Sequence, residues 1–204
     1  MNEKAEPLEN LIRNWRTYCT EENFIGIGSS RKVYKVGERV IKVHLHPIGK
    51  LQSQNEMAIY NEIEAKGLAP LFAAVHFVDE RISIQSYYRP ILRRDNQSFE
   101  IDGDKDAIWI PDRYEDALLE LDREFDCFDL KDSDNYGLND QGKLVFIDYG
   151  MSKSLYENMW VPLAEAGVLP QIEFDICNGC GEKKELRMYG EEDQDKRCYS
   201  CGKE

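Results

Sequence analysis

The sequence predicts an α+β fold, with short strands and amphipathic helices through the first 150 of its 204 residues and a small cysteine module after them. Three observations carry this reading. Apolar residues recur at helical spacing in three separate stretches. Short runs rich in β-branched and aromatic residues come in neighbouring pairs joined by tight turns. Four cysteines stand as Cys177-x-x-Cys180 and Cys198-x-x-Cys201. Hydrophobic residues make up 42% of the chain, enough for a buried core, while 14 Gly and 7 Pro are too ordinary for a collagen-like or low-complexity protein.

In chain order, Leu8, Leu11, Ile12, Trp15 and Tyr18 predict an amphipathic helix over 7–18, a plain packing helix in preference to a functional brace across the following domain. Strands are expected at 24–26, 32–36 and 40–43, the last two joined by Gly37-Glu38-Arg39 as a hairpin loop. A helix is expected over 51–65, closed by Lys66-Gly67. Two more strands, 73–78 and 81–87, flank Asp79-Glu80. Residues 92–105 are polar and charged and read as a connecting loop. Periodicity through Tyr114, Ala117, Leu118, Leu121 and Phe125 predicts a helix over 112–125. A strand pair at 136–138 and 144–147 surrounds Asn139-Asp140-Gln141-Gly142, and a mixed segment runs from there to Gln171. The expected divisions are an N-terminal helix (1–20), a first unit (21–90), a second unit (91–172) and the cysteine module (173–204).

Candidate functional residues fall into one ordered set. Gly26-Ile27-Gly28-Ser29-Ser30-Arg31-Lys32-Val33-Tyr34 lies at a strand–turn–strand junction, where glycines let backbone N–H groups approach phosphate oxygens. Lys42 follows Val40-Ile41 on a core strand, from which an ammonium can reach α- and β-phosphates. Glu56 is the first choice to hold that lysine, because it shares a helical stripe with Ile59, Tyr60 and Ile63; Glu62, off the stripe, is the second. For either one, a solvated helix charge is the plain alternative. Downstream, Asp129-Leu130-Lys131 precedes Asn135, and Asp148-Tyr149-Gly150 comes 13 residues later. Phosphoryl transfer from ATP needs oxygen ligands for Mg²⁺, a carboxylate to orient the attacking hydroxyl and a cation for the moving phosphoryl group. Asn135 and Asp148 suit the metal, Asp129 the hydroxyl and Lys131 the phosphoryl oxygens.

Taken in that order, residues 24–150 resemble the protein kinase superfamily: a glycine loop, a strand lysine, a helix glutamate, an Asp-Leu-Lys…Asn loop and an Asp-Tyr-Gly. The resemblance implies a truncated two-lobed protein-kinase-like fold, compact and atypical, similar in scale to small phage or prokaryotic kinase-like proteins. It implies that Gly26 and Gly28 cover the phosphates of ATP, that Lys42 paired with Glu56 contacts them, and that Asn135 and Asp148 bind Mg²⁺. Asp129 is then the catalytic base, with Lys131 beside it on the γ-phosphate, and Ser86-Tyr87-Tyr88-Arg89-Pro90 is the hinge that meets adenine. A lysine two positions after the aspartate is similar to Ser/Thr protein kinases, so the implied activity is transfer of the γ-phosphoryl group to a protein hydroxyl. The alternatives are a pseudokinase that grips a protein partner without catalysis, and a small-molecule kinase. The departures are specific. Arg31 replaces the third glycine, Cys127-Phe128 stands where His-Arg is usual, and no Ala-Pro-Glu follows Gly150. Asp129 lies six residues before Asn135 instead of five, which leaves Asp132 as another candidate base.

The four cysteines form two near-identical knuckles, each followed by glycine, and supply four sulfurs for a tetrahedral Zn²⁺. A closed four-thiolate shell is structural, and a stretch this short buries too little to fold without metal. The module looks like a zinc ribbon. Its nine acids and six bases suit protein docking, stabilisation or substrate recruitment better than nucleic acid, although Lys183, Lys184 and Arg187 suggest a small basic spot around Leu186 and Tyr189. The net charge of −13 repels nucleic-acid phosphates generally. No apolar run approaches the roughly 18–20 residues of a membrane span. MNEKAEPLEN has no apolar segment of a secretory signal, so metal is expected in preference to disulfides, and the cytoplasm is the expected location. His44 and His46 read as an exposed strand-end pair, and Cys19 and Cys127 as half-buried fillers.

Overall fold

Alternation along the strands decides how the first half of the chain is assembled. The computed structural model describes residues 6–95 and 97–203; positions 1–5, 96 and 204, which fall in the expected N-terminal segment, polar loop and cysteine module, lie outside the described residues. Strands β1 (Phe24–Ile27), β2 (Arg31–Val36), β3 (Arg39–His44), β4 (Val75–Val78) and β5 (Ile82–Ser86) form an antiparallel sheet in the order β1-β2-β3-β5-β4. Because successive side chains point to opposite faces, Ile41, Ile82 and Ile84 leave the sheet on one side. There they meet Leu11 of α1 (Leu8–Tyr18), with Leu8, Ile12, Trp15 and Tyr18 packed around them. Lys42, Ser83 and Gln85 are the alternate residues, and they are buried beneath the second helix on the other side.

That helix, α2 (Pro47–Ala65), starts four residues before the periodicity predicts. Pro47 occupies its first turn, where a missing N–H costs nothing, and the His46 ring accepts a hydrogen bond from the Ile48 N–H at 3.3 Å. His44 is half-buried and lies 3.0 Å from Ser53 Oγ through Nε2. The expected pair of exposed histidines is therefore corrected: one caps a helix and the other fastens that helix to the sheet.

The sheet ends at Ser86. β6 (Arg89–Pro90) pairs with β7 (Tyr136–Leu138), which pairs with β8 (Leu144–Phe146). Helix α3 (Tyr114–Phe125) begins two residues later than expected because Arg113 takes a left-handed conformation, φ 63°. The largest core joins Ile59 and Ile63 of α2 to Phe72, Tyr114, Leu121, Tyr136, Phe146 and Tyr149. Phe72 stacks on Phe146 at 4.8 Å and meets Tyr149 edge-on at 5.1 Å. The mixed segment resolves into α4 (Lys153–Leu155), a π-turn at Tyr156–Trp160 and α5 (Val161–Glu165). The hairpin of β9 (Gln171–Ile176) and β10 (Lys183–Met188) comes next. The protein is thus mixed α+β with antiparallel sheets and a four-cysteine cluster. No helix among the described residues is long and apolar enough to cross a membrane.

Candidate functional site

The site grows from one buried lysine. Lys42, on the α2 side of β3, places Nζ 3.1 and 3.2 Å from the two Glu56 oxygens and 2.8 Å from the Ile147 carbonyl. Glu56 is fully buried on α2, as the helical stripe predicts, whereas Glu62 is exposed and pairs with Lys66. Burial pushes the Lys42 ammonium down and the Glu56 carboxyl up; the charges of the pair oppose both shifts. A third group joins them. Arg31 is buried, and its guanidinium donates to Glu56 at 2.9 Å and to Asp148 at 2.6 Å. Burial acts to raise the Asp148 carboxyl, but the Arg31 and Lys42 charges outweigh it and hold it at about 2. The sequence reading treats Arg31 only as a departure from a glycine pattern. Its role in this charge cluster becomes visible only when β2 is seen to face α2.

Asp148 lies just beyond β8, and the backbone around it is clamped from two directions. The Asn135 carbonyl accepts from the Ile147 N–H at 2.9 Å and the Asp148 N–H at 3.3 Å. Gly150 lies directly against α2, where an added Cβ would come within 2.0 Å of the Gln52 carbonyl oxygen and 2.8 Å of Glu56 Cγ. The glycine of Asp-Tyr-Gly is therefore needed for helix contact. Tyr149 is buried and donates its hydroxyl to the Ala73 carbonyl at 2.8 Å.

The Asn135 side chain donates to the Asp129 carbonyl at 2.6 Å, and Asp129 has a left-handed backbone, φ 57°. Burial raises the Asp129 carboxyl, and the charges of Asp132 and Asp148 push the same way. The competing aspartate is structurally occupied: Asp132 accepts from Ser98 Oγ at 2.8 Å and caps the turn through the Asp134 N–H at 2.7 Å. Lys131 is exposed and stands 3.9 Å from Glu100, outside the buried charge cluster. Cys127 is buried, more deeply than a half-buried filler, with its thiol toward the Tyr149 carbonyl at 3.4 Å and pushed up to about 12 by burial.

Gly26 and Gly28 sit in an open turn. A Cβ added to either would meet nothing within 4 Å, so the packing of this chain does not itself demand glycine there. The Gly28 N–H donates to the Arg31 carbonyl at 2.9 Å, closing the turn, and its carbonyl accepts a hydrogen bond from Arg187. This last contact corrects the expected basic spot: Arg187 is buried, Lys184 pairs with Glu182 at 2.5 Å, and Leu186 is fully buried. Sequence reasoning missed Arg187 as a partner of the glycine loop, because 159 residues separate it from Gly28.

The sulfurs of Cys177, Cys180, Cys198 and Cys201 all lie within 4.8 Å of one another, so the four face one shared point where a tetrahedral ion would be held. Cys177 Sγ accepts the N–H groups of Cys198 at 3.1 Å and Gly179 at 3.3 Å. The Cys198 amide leads in bringing its thiol down to about 6, whereas hydrogen bonding to Cys198 and Cys177 raises Cys201 to about 12. Gly181 and Gly202, one after each cysteine pair, take φ 73° and 94°, the left-handed turn that a side chain resists. This arrangement could hold a metal ion such as zinc. Comparison with protein-family models and with curated proteins returns no match for this chain.

Proposed function

We propose that this chain is a compact, atypical kinase that transfers the γ-phosphoryl group of Mg-ATP to a protein Ser/Thr hydroxyl. The observation that carries the reading is the convergence of Lys42, Glu56 and Asp148, which come from a sheet strand, a helix and a distant loop. In this reading the five-stranded sheet with α2 is the small lobe, and the segment after the hinge at 86–90 is the truncated large lobe. Lys42, oriented by Glu56, contacts phosphate oxygens, while the turn of Gly26 and Gly28 covers them. Asn135 and Asp148 supply oxygen ligands for Mg²⁺, which neutralises phosphate charge when bound. Asp129, its carboxyl raised toward neutrality, accepts the hydroxyl proton; Lys131, exposed on the same loop, meets the γ-phosphate. The four thiolates hold a structural Zn²⁺, one per chain, and Cys198→Ser is expected to lose that metal and unfold the hairpin.

One observation favours the pseudokinase reading: the 2.6 Å pair with Arg31 already neutralises the Asp148 carboxylate that Mg²⁺ would need. Incubation with radiolabelled ATP and a basic protein acceptor separates the two readings. The kinase reading expects label incorporation by the wild type and loss in both Asp148→Ala and Asp129→Asn. ATP binding without label transfer would leave the pseudokinase.

A further inference from the structure

We infer that the four-cysteine module is a metal-gated clamp on the glycine turn, holding that turn in place from a sequence position far downstream. Strand β10 makes this possible by alternation. Leu186 and Met188 point into the knot with Cys177 and Cys198, so the knot's packing sets their depth. Glu185 and Arg187 lie on the opposite face and reach the rest of the protein. Arg187 donates to the Gly28 carbonyl and to Tyr189 Oη at 3.1 Å. Its Nε is buried without a hydrogen-bond partner, so a buried cation is committed to this contact. Glu185 pairs at 2.8 Å with Arg93, which also grips Asp134 at 2.6 Å, one residue before Asn135. From the second knuckle, Tyr199 stacks on Phe24 at 4.5 Å, with the Lys32 ammonium 5.0 Å from its ring.

The module therefore touches β1 and the glycine turn and, through Arg93, the turn that carries Asn135. These contacts depend on the fold of the knot, whose small core and hairpin are stabilised further when four thiolates share a metal. Metal loading is thereby coupled to the order of the glycine loop. The consequence for nucleotide affinity rests on the kinase-like reading above; the clamp itself does not.

Hydrogen exchange of the peptide over 24–33, with metal content measured in parallel, tests the clamp directly. Zinc-loaded wild type is compared with a sample stripped by a zinc-selective chelator, and with zinc-loaded Arg187→Ala and Tyr199→Leu. We expect faster exchange in the stripped sample and in both variants, with the variants retaining zinc. Exchange that matches the loaded wild type in the stripped sample, or in both zinc-loaded variants, overturns the clamp. A fluorescent ATP analogue titrated into the same samples is expected to bind about five- to tenfold more weakly wherever exchange rises, a coupling of ordinary allosteric size. Should loaded wild type bind no nucleotide, the kinase reading fails, while the exchange data still decide the clamp.

Discussion

Removing the Arg31 charge tests the buried cluster at its least anticipated member. Two buried or part-buried carboxylates share Arg31 and Lys42, and taking away one cation leaves negative charge uncompensated, an effect of about 3–5 kcal/mol when burial is complete. Asp148 is two-fifths exposed, so water offsets part of this. Arg31→Met is expected to cost about 3 kcal/mol in urea unfolding at pH 7; an unchanged midpoint would mean that the cluster is not formed. His44 supplies a pH test. Burial, with help from the Arg31 charge, lowers its pKa from the ordinary 6.5 to about 4. The unfolded chain therefore takes up a proton first as the pH falls, and stability declines from pH 6.5 to about 4. His44→Gln should flatten that part of the stability curve. A wild-type slope retained in the variant would assign the acid sensitivity elsewhere.

Among the elements, contact between α2 and the turn after β8 is what brings Glu56 to Asp148. Gly150→Ala would drive a methyl group against the Gln52 carbonyl at 2.0 Å. Overpacking of this kind costs about 1–3 kcal/mol, so the variant should unfold at lower urea; unchanged stability would show that α2 does not pack there. Much of this was readable from sequence. Glu56 was legible because its stripe with Ile59 and Ile63 follows the 3.6-residue period, and Lys42 because it interrupts a β-branched strand. The cysteine cluster was legible from ligand spacing alone. What escaped depended on distant partners. Arg31 looks like a turn residue until β2 pairs with β3 and faces α2, and Arg187 looks exposed until β10 docks on Gly28. Strands β9 and β10 were invisible because charged and apolar residues mix on an outer hairpin whose packing comes from the cysteine knot.

For the whole molecule, three parts of the chain are tied together by hydrogen bonds and ion pairs: the sheet with its helix, the aspartate-rich loop and the hairpin of the four-cysteine cluster. Under the proposed kinase reading, a net charge of −13 favours a basic acceptor, and rising salt should weaken acceptor binding while leaving the buried Lys42–Glu56 pair intact. The central proposal is that the cluster around Lys42 and Asp148 receives a nucleoside triphosphate and its metal. Calorimetric titration of Mg-ATP into the zinc-loaded protein, beside Asp148→Ala, addresses it most directly. The account predicts saturable one-to-one binding by the wild type, weakened at least about tenfold in the variant, the loss expected when a charged ligand contact is removed. Wild-type protein that is folded, loaded with metal and gives no heat with millimolar Mg-ATP would contradict it.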